Sequence, residues 1–142
     1  MKRTAVVGLL TVMPATAIAL ESWMDEGAIR SAFGGKTIQG HYASGVAFTE
    51  TYGTDGGIDY RERDRTFAGH WSVQGGAFCT IYHQDAAGGC YRVTQVSENC
   101  FEFYFVARTE LDAANDQNIG PSWTARAAVS DRPSTCDDRP AV

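Results

Sequence analysis

From Lys36 onward, the chain alternates apolar and polar residues in short segments that are separated by glycine-containing turns. Such segments, rich in Val, Thr, Tyr and Phe, are typical of β-strands with one buried face. Short and regular intervals between them are the signature of antiparallel all-β architectures. The pattern therefore predicts a mainly β protein, an antiparallel meander or small β-barrel of about seven to eight strands.

The alternation also places the strands and turns along the chain. The predicted strands lie near Thr37–Tyr42, Gly45–Tyr52, Ile58–Arg63, Gly69–Gln74, Ala77–His83, Cys90–Val96 and Cys100–Arg108. The predicted turns are Ala43-Ser44, Asp55-Gly56-Gly57, Gly75-Gly76, Asp85 to Gly89 and Ser97-Glu98-Asn99. Beyond Thr109 the alternation dissolves, and only Trp123 to Val129 has the composition of a further strand. We therefore predict an irregular, partly mobile C-terminal tail over residues 109–142.

The N-terminus has the three parts of a secretion signal. Lys2 and Arg3 precede an apolar stretch from Ala5 to Met13, and Ala17-x-Ala19 suits signal peptidase. The apolar stretch is shorter than the roughly 20 residues that a membrane-spanning helix needs. The sequence predicts a signal peptide over residues 1–19 and a periplasmic or secreted mature protein without a membrane span.

A short helix is expected between the signal and the first strand. Apolar residues recur at roughly helical spacing up to Phe33, Ser22 is a possible N-cap, and Gly34-Gly35 ends the segment. We expect this helix to pack against the meander or to plug it. Together they form a single predicted β domain over residues 20–108.

The charge of the mature chain argues against nucleic-acid binding. Lys2 and Arg3 leave with the signal, so 10 of the 12 Lys and Arg remain against 17 Asp and Glu, a formal charge of −7. This balance repels phosphate backbones. A small apolar ligand or a protein of the cell envelope is the more natural partner.

Aromatic residues dominate the face expected to form the core. The expected members are Phe48, Trp71, Phe78, Tyr82, Tyr91, Val93, Phe101, Phe103 and Phe105. A filled core is the default at this length, whereas a wider barrel would line a ligand cavity with these rings. The candidate ligand-binding residues are Phe48, Tyr52, Tyr60 and Trp71.

Two glutamates are weak catalytic candidates. A three-residue loop at Asp55-Gly56-Gly57 would place Glu50 opposite Glu62, and facing carboxylates resemble an acid–base or cation site. A two-residue loop would instead pair Glu50 with Arg61 as a structural ion pair. The sequence leaves both registers open.

Histidines and a cysteine supply a weak metal hypothesis. A two-residue turn at Gly75-Gly76 places His70, Cys79 and His83 on one sheet face, as zinc ligands require. None of these residues is closely spaced in sequence, and cysteines of an exported chain more often form disulfides. We therefore predict no metal and no cofactor.

The four cysteines allow three complete pairings. Regular ladders would hold Cys79, Cys90 and Cys100 too far apart to join one another. The oxidising compartment nevertheless favours disulfides, and we predict Cys79–Cys90 with Cys100–Cys136, the chain before Cys90 folding back or bulging.

No known catalytic motif occurs, but several motifs resemble a known group. The residues are Phe33 to Gly40, Phe48-Thr49-Glu50-x-Tyr52, Gly69-x-Trp71-Ser72-Val73, Phe78-Cys79-Thr80-x-Tyr82, Gly89 to Val93 and Asn99 to Tyr104. Over about residues 28–106 the chain resembles small exported alphaproteobacterial proteins of uncharacterised function, of the lipocalin-like type. This resemblance implies an exported β fold and supplies no site residues.

The leading expectation for function is a non-enzymatic exported binding or envelope-associated module. Its sharper variant is a small-ligand carrier of lipocalin type. A small hydrolase or isomerase that uses Glu50 and Glu62 is a second hypothesis. A secreted inhibitor of a cell-wall enzyme is a third.

Overall fold

The computed structural model describes residues 22–84, 88–115 and 119–136. The predicted signal peptide, residues 1–19, lies outside the described residues. The elements are α1 Glu26–Phe33, β1 Lys36–Tyr42, β2 Ala47–Tyr52, β3 Gly57–Glu62, β4 Arg65–Gln74, β5 Ala77–Tyr82, β6 Gly89–Ser97, β7 Cys100–Ala107, α2 Glu110–Asn115 and β8 Ala125–Val129.

The strands form a closed antiparallel barrel in which each strand pairs with the next and β8 returns to pair with β1. The alternation seen in the sequence is the cause, because every second side chain points inward. In β2, for example, Phe48, Glu50 and Tyr52 are buried while the residues between them are not. The prediction of a mainly β barrel is confirmed, with eight strands.

Helix α1 closes one end of the barrel. Its buried residues Ile29 and Phe33 enter the core, where the Phe33 ring lies against the rings of Phe78, Phe101 and Phe103. The helix begins later than predicted, because Asp25 rather than Ser22 is the N-cap and its carboxylate accepts a hydrogen bond from the Ala28 amide at 2.8 Å.

Strand β8 corrects the predicted domain boundary at residue 108. Every residue of β8 is buried, and the strand pairs with β1 on one side and β7 on the other. Its alanine-rich sequence does not alternate because both faces are covered. A side chain at Gly40 in β1 would collide with the backbone of Arg126, so this glycine permits the close approach of the two strands. The segment predicted as an irregular tail thus completes the barrel.

Both predicted disulfides are present. Cys79 and Cys90 are direct cross-strand partners with a Cα–Cα distance of 4.0 Å, and Cys100 joins Cys136. The predicted ladder was wrong, because Thr80 already pairs with Gly89 and the connection between β5 and β6 is longer than the turn expected there. Two disulfides are typical of a protein that folds in an oxidising environment. In the described part of the chain, no helix has the length and apolarity needed to cross a membrane.

Candidate functional site

The barrel end opposite α1 contains a pocket of about 270 Å³. We call it the mouth pocket. It lies where β1, β3, β5 and β7 end, whereas α1 covers the end where these strands begin. Its lining is formed by Tyr42, Tyr60, Glu62, Arg65, Phe67, Tyr82, Gly88, Tyr91 and Arg108.

A smaller space of about 30 Å³ lies deeper in the barrel, and we call it the inner cavity. Tyr42, Tyr82 and Tyr91 line both spaces, so the two adjoin across these side chains. The inner cavity is otherwise lined mainly by apolar groups, with Glu50 and Thr80 as polar exceptions. Its volume accommodates about one or two water-sized groups.

Among the described residues, Glu50 is the only carboxylate that lines the inner cavity, and it is 5 % exposed. Its two oxygens accept hydrogen bonds from the hydroxyls of Tyr82 at 2.5 Å and Tyr52 at 2.7 Å. No Lys, Arg or His of residues 22–84, 88–115 and 119–136 forms an ion pair with it. Burial raises the pKa of Glu50 to about 7, although the two tyrosine hydroxyls act in the opposite direction.

A second group of hydrogen bonds crosses the mouth. The hydroxyls of Tyr42 and Tyr60 lie 2.8 Å apart, and Tyr60 donates to Glu62 at 2.6 Å. Burial is the main cause that raises the pKa of both tyrosines above the ordinary value, so they remain protonated donors. The mouth therefore presents a row of neutral hydroxyls with one carboxylate at its edge.

Both catalytic candidates, Glu50 and Glu62, lie inside the barrel, but they are not directly opposite each other on β2 and β3. Glu50 pairs with Tyr60, and Glu62 pairs with Phe48, so the three-residue and two-residue loop hypotheses were both wrong. The actual turn is longer. Gly53 donates to the Gly57 carbonyl and the Asp55 carboxylate accepts from the Gly57 amide, which moves the register by two residues. Glu50 and Glu62 are consequently diagonal neighbours on one face.

The candidate ligand-binding residues divide between the two spaces. Phe48 and Tyr52 line the inner cavity, and Tyr60 lines the mouth pocket. Trp71 lines neither of these spaces. It packs in the core near the helix end, where its indole N–H donates to the Gly53 carbonyl at 2.8 Å.

Sequence reasoning missed several lining residues. Tyr82 and Tyr91 were expected in the core, or as cavity-lining rings of a wider barrel, and were not among the candidate ligand-binding residues; Tyr42, Thr80 and Arg108 were not singled out. The positions of the tyrosines could have indicated these residues. Tyr42 and Tyr82 end β1 and β5, and Tyr91 lies near the start of β6, where these strands meet at the mouth. Phe105, expected in the core, is half-buried and lies beside Tyr91.

The residues of the metal hypothesis share the outer face of β4 and β5. The rings of His70 and His83 lie 4.6 Å apart and both side chains are exposed. Cys79 is oxidised in its disulfide and presents no thiolate. Within the described residues, no group of three or more His, Cys, Asp or Glu side chains could hold a metal ion.

A second buried glutamate, Glu102, provides a contrast with Glu50. It lies on the outer side of the barrel wall, where Arg126 donates to its Oε1 from Nη2 at 2.6 Å and from Nε at 3.1 Å. Tyr104 donates to its other oxygen at 2.8 Å. The Arg126 guanidinium lies over the Trp123 ring, 4.6 Å from its centroid. The charge of Glu102 is therefore balanced by Arg126 within the protein, whereas Glu50 has no such partner among the described residues.

Fold and site together define a closed β-barrel with one end plugged by a helix and a pocket at the other. Compared with protein-family models, curated proteins and solved structures, the chain matches none of them.

Proposed function

We propose that this chain is an exported, non-enzymatic binding protein that takes a small ligand into the mouth of its barrel. The observation that carries the proposal is the mouth pocket of about 270 Å³, which adjoins the inner cavity, where Glu50 is buried and has no positive partner among the described residues. Concave, mostly aromatic spaces with a few convergent polar groups are the usual form of small-molecule sites. This is the carrier variant of the function expected from the sequence.

Export is part of the proposal. The N-terminal pattern predicts a signal peptide, and both disulfides suit an oxidising compartment. The protein would therefore bind its ligand in the periplasm or outside the cell. Mass spectrometry of the exported protein should find Leu20 as its first residue, and intact Met1 would contradict this part of the proposal.

A second candidate function is general acid–base catalysis at the same place. A carboxyl group with a pKa of about 7 is suited to proton transfer at neutral pH, and Glu62 lies diagonally to Glu50 on the same face. A hydrolase or isomerase of this kind would convert a bound molecule. Recovery of every bound small molecule unchanged after long incubation favours the carrier.

An NMR titration tests ligand binding. The disulfide-bonded chain would be titrated separately with 2-phenylethylamine, 2-phenylethanol and phenylacetate, which differ in charge but share an aromatic body. We expect at least one probe to shift the amide signals of Glu62, Gly88 and Arg108 and to leave those of Ile29 and Phe33 at the closed end unchanged. Three probes without effect at the mouth would overturn the proposed function.

A further inference from the structure

Glu50 has hydrogen-bonding capacity that the protein does not use. An ionised carboxylate offers about four acceptor positions. Tyr82 and Tyr52 each donate one hydrogen bond to it, one to each oxygen. Because Glu50 also lines the inner cavity, a donor placed in that cavity can reach the remaining positions.

Among the residues that the structure describes, the groups facing Glu50 carry no positive charge. From the neighbouring strands these groups are the hydroxyls of Tyr42, Tyr82, Tyr91 and Thr80. The positive groups at the mouth, Arg65 and Arg108, line the mouth pocket and not the inner cavity. A buried carboxylate without a positive partner is costly in free energy. A cation that entered the inner cavity would reduce this cost.

The size of the inner cavity restricts the cation. About 30 Å³ of space accepts a group the size of a water molecule. A primary ammonium group is of this size and has three N–H donors. A trimethylated ammonium is too large for the cavity.

The aromatic rings around the cavity suit the same group. Tyr42 lies at a tilt beside Phe48 with ring centroids 4.8 Å apart, and Tyr52 meets Phe78 edge-on at 5.2 Å. The faces of such rings attract cations, most strongly where water is excluded. The adjoining mouth pocket has room for the hydrocarbon part of a ligand, against rings such as that of Phe67.

We propose that the barrel binds a small primary amine, with its ammonium group in the inner cavity against Glu50 and its hydrocarbon body in the mouth pocket. This inference rests on the proposed function and names the chemical class of its ligand. Arg65 and Arg108 at the mouth would favour a body that is neutral or carries an acidic group at its outer end.

The direct test compares 2-phenylethylamine with 2-phenylethanol by calorimetry at pH 8, on the unaltered disulfide-bonded chain. The two molecules differ only in the ammonium or hydroxyl group, and an alkylamine is protonated at this pH. We expect the amine to bind at least about 10-fold more tightly than the alcohol, the lower end of what a close charge pair contributes.

Two variants locate the ammonium group. Glu50→Gln should lose the preference for the amine and keep the affinity for the alcohol. Glu98→Gln is the matched control, because it removes the same charge from an exposed turn at the closed end of the barrel. It should leave both affinities unchanged.

The remaining outcomes separate this inference from the proposed function. Equal binding of amine and alcohol at the mouth would overturn the inference and leave the proposed function standing. Amine binding that survives Glu50→Gln but is lost in Glu62→Gln would place the ammonium group at the rim and also overturn it. A failure of all probes to bind would overturn both. If Glu50→Gln does not fold, Glu62→Gln decides: an amine preference that persists in this variant supports the inference, and one that is lost overturns it.

Discussion

Two buried glutamates of this barrel share the sequence pattern Glu-x-Tyr and have opposite roles. Glu50 and Glu102 each precede a tyrosine by two residues, and in both cases that tyrosine donates a hydrogen bond to the carboxylate. Their exposed fractions are 5 % and 7 %. Glu102 points outward and meets Arg126, whereas Glu50 points inward, accepts hydrogen bonds from two tyrosine hydroxyls and lines the inner cavity.

The difference shows what makes a buried charge structural. A carboxylate that has a well-placed guanidinium is satisfied within the protein and needs nothing further. A buried carboxylate that has only neutral donors is destabilised in its charged form, and binding of a proton or of an external cation lowers its free energy. Four predictions test this distinction.

The largest effect is expected at the neutralised pair. Arg126→Met leaves Glu102 buried without its positive partner, which should lower the free energy of unfolding by about 3–5 kcal/mol. Urea unfolding at pH 7 measures it. The double variant Glu102→Leu/Arg126→Met should recover most of the loss, because no charge then remains buried. A double variant as unstable as the single one would show that the guanidinium acts through packing on Trp123 instead.

The second effect is the pH dependence of stability that Glu50 contributes. Its pKa is about 7 in the folded protein against 4.5 ordinarily, so the folded state binds the proton more tightly. The stability linked to it is fully present below about pH 4.5 and is lost as the pH rises through about 7. The loss should be on the order of 3 kcal/mol.

Urea unfolding between pH 4.5 and 8 checks this dependence. Glu50→Gln should flatten the profile in this range, and the amide should be more stable than the carboxylate at pH 8. The groups around Glu50, namely Tyr42, Tyr52, Tyr82 and Tyr91, all have pKa values raised above the ordinary value and stay neutral throughout. An unchanged profile in the variant would assign the pH dependence to other groups.

A smaller effect is expected when one neutral donor is removed. Tyr82→Phe deletes the hydroxyl that donates to Glu50 Oε1. At pH 8 the loss should be about 1.5–3 kcal/mol, as for a hydrogen bond to a charged group, and at pH 5 only about 0.5–1.5 kcal/mol. The same unfolding experiment at both pH values measures the difference. Equal losses would mean that Glu50 has the same charge at both.

The smallest effect concerns the glutamate at the edge of the mouth. Glu62 is half-buried and accepts one hydrogen bond, from Tyr60. Glu62→Gln keeps an acceptor for this hydroxyl, so the free energy of unfolding should change by less than about 1 kcal/mol. Thermal unfolding of the variant beside the parent chain measures it. A loss as large as that of Arg126→Met would mean that Glu62 belongs with Glu102 among the structural charges.

The strands could be predicted because alternation is a local property. One buried face imposes a period of two on each strand, and glycine pairs such as Gly75-Gly76 mark the turns by their left-handed backbone. That turn has the predicted register, in which Ser72 pairs with Cys79. Bonding of all four cysteines followed from the predicted oxidising compartment, which by itself does not choose among the three possible pairings.

The predicted strand register was wrong wherever the turn was longer than its residues suggested. The turn before β3 is extended by the Asp55 side chain, which takes over a backbone hydrogen bond, and this moved Glu62 away from Glu50. Strand β8 was missed as part of the domain because a strand covered on both faces shows no alternation. The order of residues does not encode these features in a local pattern.

The sequence by itself determined the class of fold and the set of inward side chains, because both depend on neighbours along the chain. The alternation places Glu50 on the inward face and Glu102 on the outward face, but it does not say which of the two has a positive partner. Only closure of the barrel decided that Arg126 would stand beside one of them and an open space beside the other. The energy of a buried charge depends on what surrounds it in three dimensions, and strands far apart in the sequence supply those surroundings.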